Sequence, residues 1–158
     1  MNLIHETIEF QRDFLVPPER VFRAFTDIRE REIWSAPSDR VEVKIDRSDM
    51  RPGGVERARC GPRGNMLWDL TTYYHVIGEC AVITFTEVLS ERGKTLTAAL
   101  VTFAFSTLPG DGARLKLTDQ ITSFVGAEAA AGHRIGYAQA LNNLAERLAK
   151  ADGSNCLF

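Results

Sequence analysis

No stretch of the chain approaches the ~20 consecutive apolar residues that a membrane-spanning helix needs. Cysteine is scarce: Cys60, Cys80 and Cys156 are odd in number and far apart. That pattern reads as free thiols, and excludes both a disulfide framework and a CxxC metal site. His5, His75 and His133 fall in three unrelated segments without a ligand spacing, so no metal is expected and surface positions are. Charge of one sign is never concentrated: 19 Lys and Arg stand against 21 Asp and Glu, for a net charge of −2. A basic surface for nucleic acid is thereby excluded. Repeats, low-complexity tracts and linkers are absent, as are nucleophile-elbow, Walker and dinucleotide fingerprints, so no cofactor is expected. Asn2, His5, Glu6 and Glu9 interrupt the first ten residues, which leaves no apolar core for a signal peptide and predicts a cytoplasmic protein without a membrane partner.

What is present is a composition suited to one domain. Of 158 residues, 44% are hydrophobic, and a chain of this size buries roughly 70% of its unfolded surface without help from a disulfide. The domain is expected over residues 1–150, with a flexible tail over 151–158. Ile8, Phe10, Phe14 and Val16 share one parity, the period of a half-buried strand, and Arg12 keeps it too. Pro17 and Pro18 end that strand and open a short helix carrying Val21, Phe22 and Phe25. Thr26 and Asp27 cap a second, which runs to Trp34. Alternating runs then mark six strands, starting near Val41, Val55, Trp68, Ala81, Val101 and Leu115. Arg51-Pro-Gly-Gly54, Arg92-Gly-Lys94 and Pro109-Gly-Asp-Gly112 are among the turns between them. From Ala127 to Lys150 the pattern becomes helical, with Tyr137, Leu141, Leu144 and Leu148 on one side.

This order predicts an α+β fold: a curved antiparallel sheet of about seven strands around a long C-terminal helix, with two short helices after the first strand. A space between sheet and helix is a natural apolar pocket. Val16-Pro-Pro-Glu-Arg-Val-Phe-Arg-Ala-Phe-Thr-Asp27, Trp34 with Pro37, Arg51-Pro-Gly-Gly54, and His133 with Gly136-Tyr137 together carry a family likeness. In these motifs and their order the chain resembles the helix-grip proteins of the START/Bet v 1-like (SRPBCC) superfamily. Within it, the bacterial branch related to the C-terminal domain of the Hsp90 ATPase activator is the most similar. The resemblance spans Ile8 to Lys150 and implies a helix-grip fold that binds a small hydrophobic or amphipathic ligand. A chaperone-associated interaction module and a cyclase-like enzyme are the alternatives it leaves, and homodimerisation stays open. Tyr137 stands where the family more often carries Trp.

Trp34, Trp68, Tyr74, Phe85, Phe103 and Tyr137 are assigned to inward faces. Core packing and pocket lining explain any one of them equally well, and collectively they favour a cavity. His133, one turn before Tyr137, is either a partly exposed helix residue or part of a pocket mouth. Arg12 and Asp119 are charged intruders on apolar faces. The resemblance makes the first and last strands neighbours, and a register with Phe10 opposite Ile121 and Phe14 opposite Leu117 sets Arg12 opposite Asp119. Such a pair is either a structural ion pair or an anchor for a ligand carboxylate or hydroxyl. The candidate ligand-binding set is therefore Arg12, Trp34, Trp68, Tyr74, Phe85, Phe103, Asp119, His133 and Tyr137.

Overall fold

The structure is a computed structural model and describes residues 1–154. Residues 155–158 of the expected tail, Cys156 among them, lie outside the described residues. The elements are β1 (Ile4–Phe14), α1 (Pro18–Thr26), α2 (Ile28–Ser35), β2 (Val41–Ser48), β3 (Val55–Pro62), β4 (Trp68–Gly78), β5 (Val82–Glu91), β6 (Lys94–Thr107), β7 (Ala113–Ser123) and α3 (Ala127–Ser154). They form the expected helix-grip: a seven-stranded sheet in the order β1-β7-β6-β5-β4-β3-β2, antiparallel throughout. No described helix is long and apolar enough to cross a membrane.

Local chemistry sets the helix boundaries. Pro18 sits in the first turn of α1, where its missing N–H costs nothing, followed by Glu19 at the positive end of the helix. Asp27 ends α1 and caps α2, its carboxylate accepting from the Glu30 N–H at 3.0 Å. Trp34 then folds back under α1 and donates its indole N–H to the Ala24 carbonyl at 2.8 Å. α3 crosses the concave face, packing most heavily on α2 and β1 and less on β7 and β6. Between them lies the core, centred on Ile8, Val101, Leu115, Leu117, Leu141, Leu144 and Leu148.

The register of β1 on β7 differs from the expected one. Asp119 lies opposite Ile8, and Arg12 opposite Leu115, so the two charges expected to face each other are four residues apart along β1. Alternation fixes which side faces inward, but a slide by an even number of residues keeps every apolar side chain on the same face. β1 begins at Ile4 rather than Ile8 and uses that freedom. A second departure is a register shift between Tyr74 and Val76 in β4, which turns His75 and Val76 outward and breaks the alternation expected to continue to Val76. Further shifts lie between Ile45 and Arg47 in β2 and between Leu89 and Ser90 in β5. Such irregularities bend the strands and help the sheet curve around α3.

Gly54 closes the turn that joins β2 to β3 and feeds the same corner. A Cβ there would lie 1.8 Å from the Asp49 carbonyl oxygen. Gly54→Ala is therefore expected to lower stability by about 2–3 kcal/mol in urea unfolding, the scale of an overpacked interior. A change below about 0.5 kcal/mol would show that the turn relaxes freely.

Candidate functional site

Side chains on the concave face form rows that run across the strands. One row is Glu56, Thr72, Glu87, Ala99 and Ile121; the next holds Tyr74, Phe85, Val101, Asp119 and Ile8. Two acidic side chains, Glu87 on β5 and Asp119 on β7, thus enter this largely apolar surface on either side of β6. His133 descends from α3 between them. Its Nδ1 is 2.7 Å from Asp119 Oδ2 and its Nε2 is 3.4 Å from Glu87 Oε1. The closer contact is near enough for strong attraction between charges, yet its geometry is not that of an aligned hydrogen bond.

Asp119 has no solvent exposure, and the His133 side chain is 14% exposed. Burial opposes a charge on His133, but Asp119 and Glu87 outweigh it and raise its pKa from the ordinary 6.5 to about 10. His133 is accordingly an imidazolium at neutral pH, and a clamped imidazolium is no general base. Because the folded pKa exceeds the unfolded one, the stabilisation is complete below about pH 6.5 and is lost as pH rises towards 10. Stability measured across that window should fall with rising pH, and His133→Gln should flatten the slope. An unchanged slope in His133→Gln would assign the pH dependence elsewhere.

Tyr137 packs edge-on against His133, with ring centroids 5.0 Å apart, and against Phe103 at 6.1 Å. Burial first, then the negative charge of Glu87 and Asp119, pushes its phenol pKa well up, so the hydroxyl stays neutral. The aromatic contacts continue from Phe103 to Phe85 and from Phe85 to Tyr74, and on the other side from Phe103 through Phe25 to Trp34. Cys60 is half-buried on β3. Burial, with Glu87 and Asp69 nearby, raises its thiol to about 12, so it is not a reactive thiolate.

A second polar group lies beside the first. Glu56 Oε2 accepts from Ser48 Oγ at 2.5 Å, from the Tyr74 hydroxyl at 2.9 Å and from Arg31 Nη2. Arg31 also donates to the Tyr74 oxygen at 3.0 Å. This network ties α2 to β3 and β4. Glu30 of the same helix pairs with Arg20 of α1 at 2.7 Å and with Arg147 of α3 at 3.1 Å.

Tyr74, Phe85, Phe103, Asp119, His133 and Tyr137, all expected from sequence, are thus brought into one neighbourhood. Trp34 joins it through Phe25. Trp68 stands at the start of β4, half-buried and outside that aromatic chain. Arg12 is elsewhere: it donates to Gln11 O at 2.9 Å and to Asn142 Oδ1 at 3.2 Å, with its guanidinium 5.5 Å from the Phe10 ring centroid. His5 and His75 are exposed and bond Thr122 and Thr86, whereas His133 is partly buried and turned towards the sheet.

Glu87 and Glu56 were missed. Glu87 shares the parity of Ile83, Phe85 and Leu89, the same signal that singles out Asp119. Glu56 shares the parity of Ala58 in a strand too charged to show a clear face.

A separate open cleft of about 940 Å³ lies between α2, β2 and the end of α3, with Trp34, Val43, Asn143 and Arg147 in its walls. Of the expected site residues, Trp34 alone lines it.

The chain matches the family model described as Activator of Hsp90 ATPase homolog 1-like protein over residues 15–149. Among solved structures, a protein of Rhizobium leguminosarum is 26% identical, with a TM-score of 0.80 over 94% of this chain and 97% of that one. The Mll3558 protein of Rhizobium loti is 29% identical, with a TM-score of 0.78 over 92% of this chain and 99% of that one. Ara h 8.0201 is 14% identical, with a TM-score of 0.67 over 93% and 99%, a likeness of fold alone. No curated protein matches the chain.

Proposed function

The chain belongs to the family of Activator of Hsp90 ATPase homolog 1-like proteins, and from that premise we propose that it binds a small amphipathic molecule between the concave face of its sheet and α3. One observation carries the reading. Trp68, Leu70 and Leu89 lie on the face that a covering helix should bury, yet all three are only partly buried. α3 leans towards β1 and α2, and so leaves this end of β4 and β5 beyond its main contacts. An apolar surface bordered by a few fixed polar groups is the usual composition of a small-molecule site. His133 and Glu87 supply that border, with Asp119 buried behind His133.

Nile red, a neutral dye whose emission rises in apolar surroundings, is expected to bind saturably to the folded protein. Trp68→Ala should weaken that binding by about tenfold, the loss of one large apolar contact. Absence of saturation, or binding indifferent to Trp68→Ala, would contradict the proposal.

A further inference from the structure

Asp119 is the most deeply buried acid among the described residues, with no exposure, against 7% for Glu56 and 8% for Glu30. Glu56 collects three donors and Glu30 two arginines. Neither oxygen of Asp119 has an aligned hydrogen-bond donor among the described residues, and His133 Nδ1 beside it is unaligned too. An ionised carboxylate offers about four acceptor positions, and leaving them empty in an apolar interior is costly. His133 is thus the cation beside Asp119, and the remaining acceptor positions of the carboxylate have no aligned donor among the described residues.

The balance of charge sharpens the point. Around the site stand Asp119 from β7, Glu87 from β5, His133 and Tyr137 from α3, Tyr74 from β4 and Cys60 from β3. Two carboxylates surround one imidazolium, and the Tyr and Cys groups are neutral. Arg31 is engaged with Glu56, and Arg134 with Glu6. The site thus sets two acidic side chains against one basic one, with the Tyr137 ring packed against His133.

We propose, resting on the ligand-binding reading above, that the polar end of the ligand is a protonated amine seated against Asp119 and Glu87, with its apolar remainder along Trp68, Leu70 and Leu89. The amine would supply donors to the acceptor positions of Asp119 that His133 does not fill, and the aromatic faces would favour a cation. A carboxylate headgroup would instead meet two acidic side chains.

The test is calorimetric titration at neutral pH with n-decylamine, n-decanol and n-decanoate, each below its micelle concentration. Decylamine should bind more tightly than decanol by about tenfold or more, as for hydrogen bonds to charged groups, with decanoate weakest. Glu87→Gln and Asp119→Asn should each remove most of the amine's advantage while leaving decanol affinity within about threefold. Glu87 is partly exposed, so its variant keeps the test valid if Asp119→Asn fails to fold. Equal affinity for the three heads, or preference for decanoate, would overturn the amine and leave the apolar site standing. An amine preference that survives both substitutions would overturn the assigned position. Failure of all three compounds together with Nile red would overturn the ligand-binding reading itself.

Discussion

His133→Leu is expected to destabilise the fold by about 3–5 kcal/mol, the cost of leaving a buried charge without its partner. The leucine fills much of the same volume, but Asp119 then remains between sheet and helix with no cation beside it, and Glu87 repels it from across β6. Asp119→Leu should be less severe, because His133 keeps Glu87 and can also lose its proton. The double variant His133→Leu with Asp119→Leu should cost much less than the two single changes summed, since it removes both halves of the pair. Urea unfolding of the four proteins gives the coupling. Additive changes below about 1 kcal/mol each would mean that the pair behaves as if exposed to water.

Glu56→Ala should have an effect of similar size through a different mechanism. Its side chain is 8% exposed, and that of Arg31 is 12% exposed. Removing the carboxylate strands a guanidinium under α2 and takes the acceptor from Ser48 and Tyr74 at the same time. A loss of about 3–5 kcal/mol is expected. Glu56→Gln should cost less, because the amide oxygen still accepts one or two of those bonds. Arg31→Met combined with Glu56→Leu should recover most of the loss, as apolar replacement of a whole buried pair commonly does. If Glu56→Ala costs under about 1 kcal/mol, α2 is held to the sheet by apolar packing alone.

These two networks show what the sequence reveals and what it hides. Strand parity is local: Ile8, Phe10 and Phe14 announce one face of β1, and Leu115, Leu117 and Ile121 announce one face of β7, whatever the partner. Parity therefore identified Asp119 as a charged residue on an inward face. Register is not local, and sliding β1 by four residues kept every apolar contact plausible while giving Asp119 the wrong partner. The true partner comes from α3, some distance along the chain, through a helix orientation that spacing alone does not set. His133 lies in a part of α3 without a clear apolar stripe, and its neighbours Gly132, Arg134 and Ile135 are exposed, so spacing leaves both a helix surface and a pocket mouth open. The helix boundaries were easier to read, since Pro18 and Asp27 act within one turn of where they stand. Glu56 was hidden because Arg57 and Arg59 alternate with it, so the whole of β3 reads as charged although one side is buried.

The chain has two tryptophans, and they mark the two places a ligand could occupy. Trp68 stands on the concave face beside Leu70 and Cys60, while Trp34 lines the outer cleft between α2, β2 and α3. Indole N–H resonances followed by two-dimensional NMR during titration with n-decylamine separate them directly. Binding between sheet and helix should move the Trp68 indole signal saturably and leave that of Trp34, whose N–H is held by the Ala24 carbonyl, nearly in place. Movement of Trp34 alone would put the ligand in the outer cleft, and movement of neither at saturating ligand would contradict binding on the concave face.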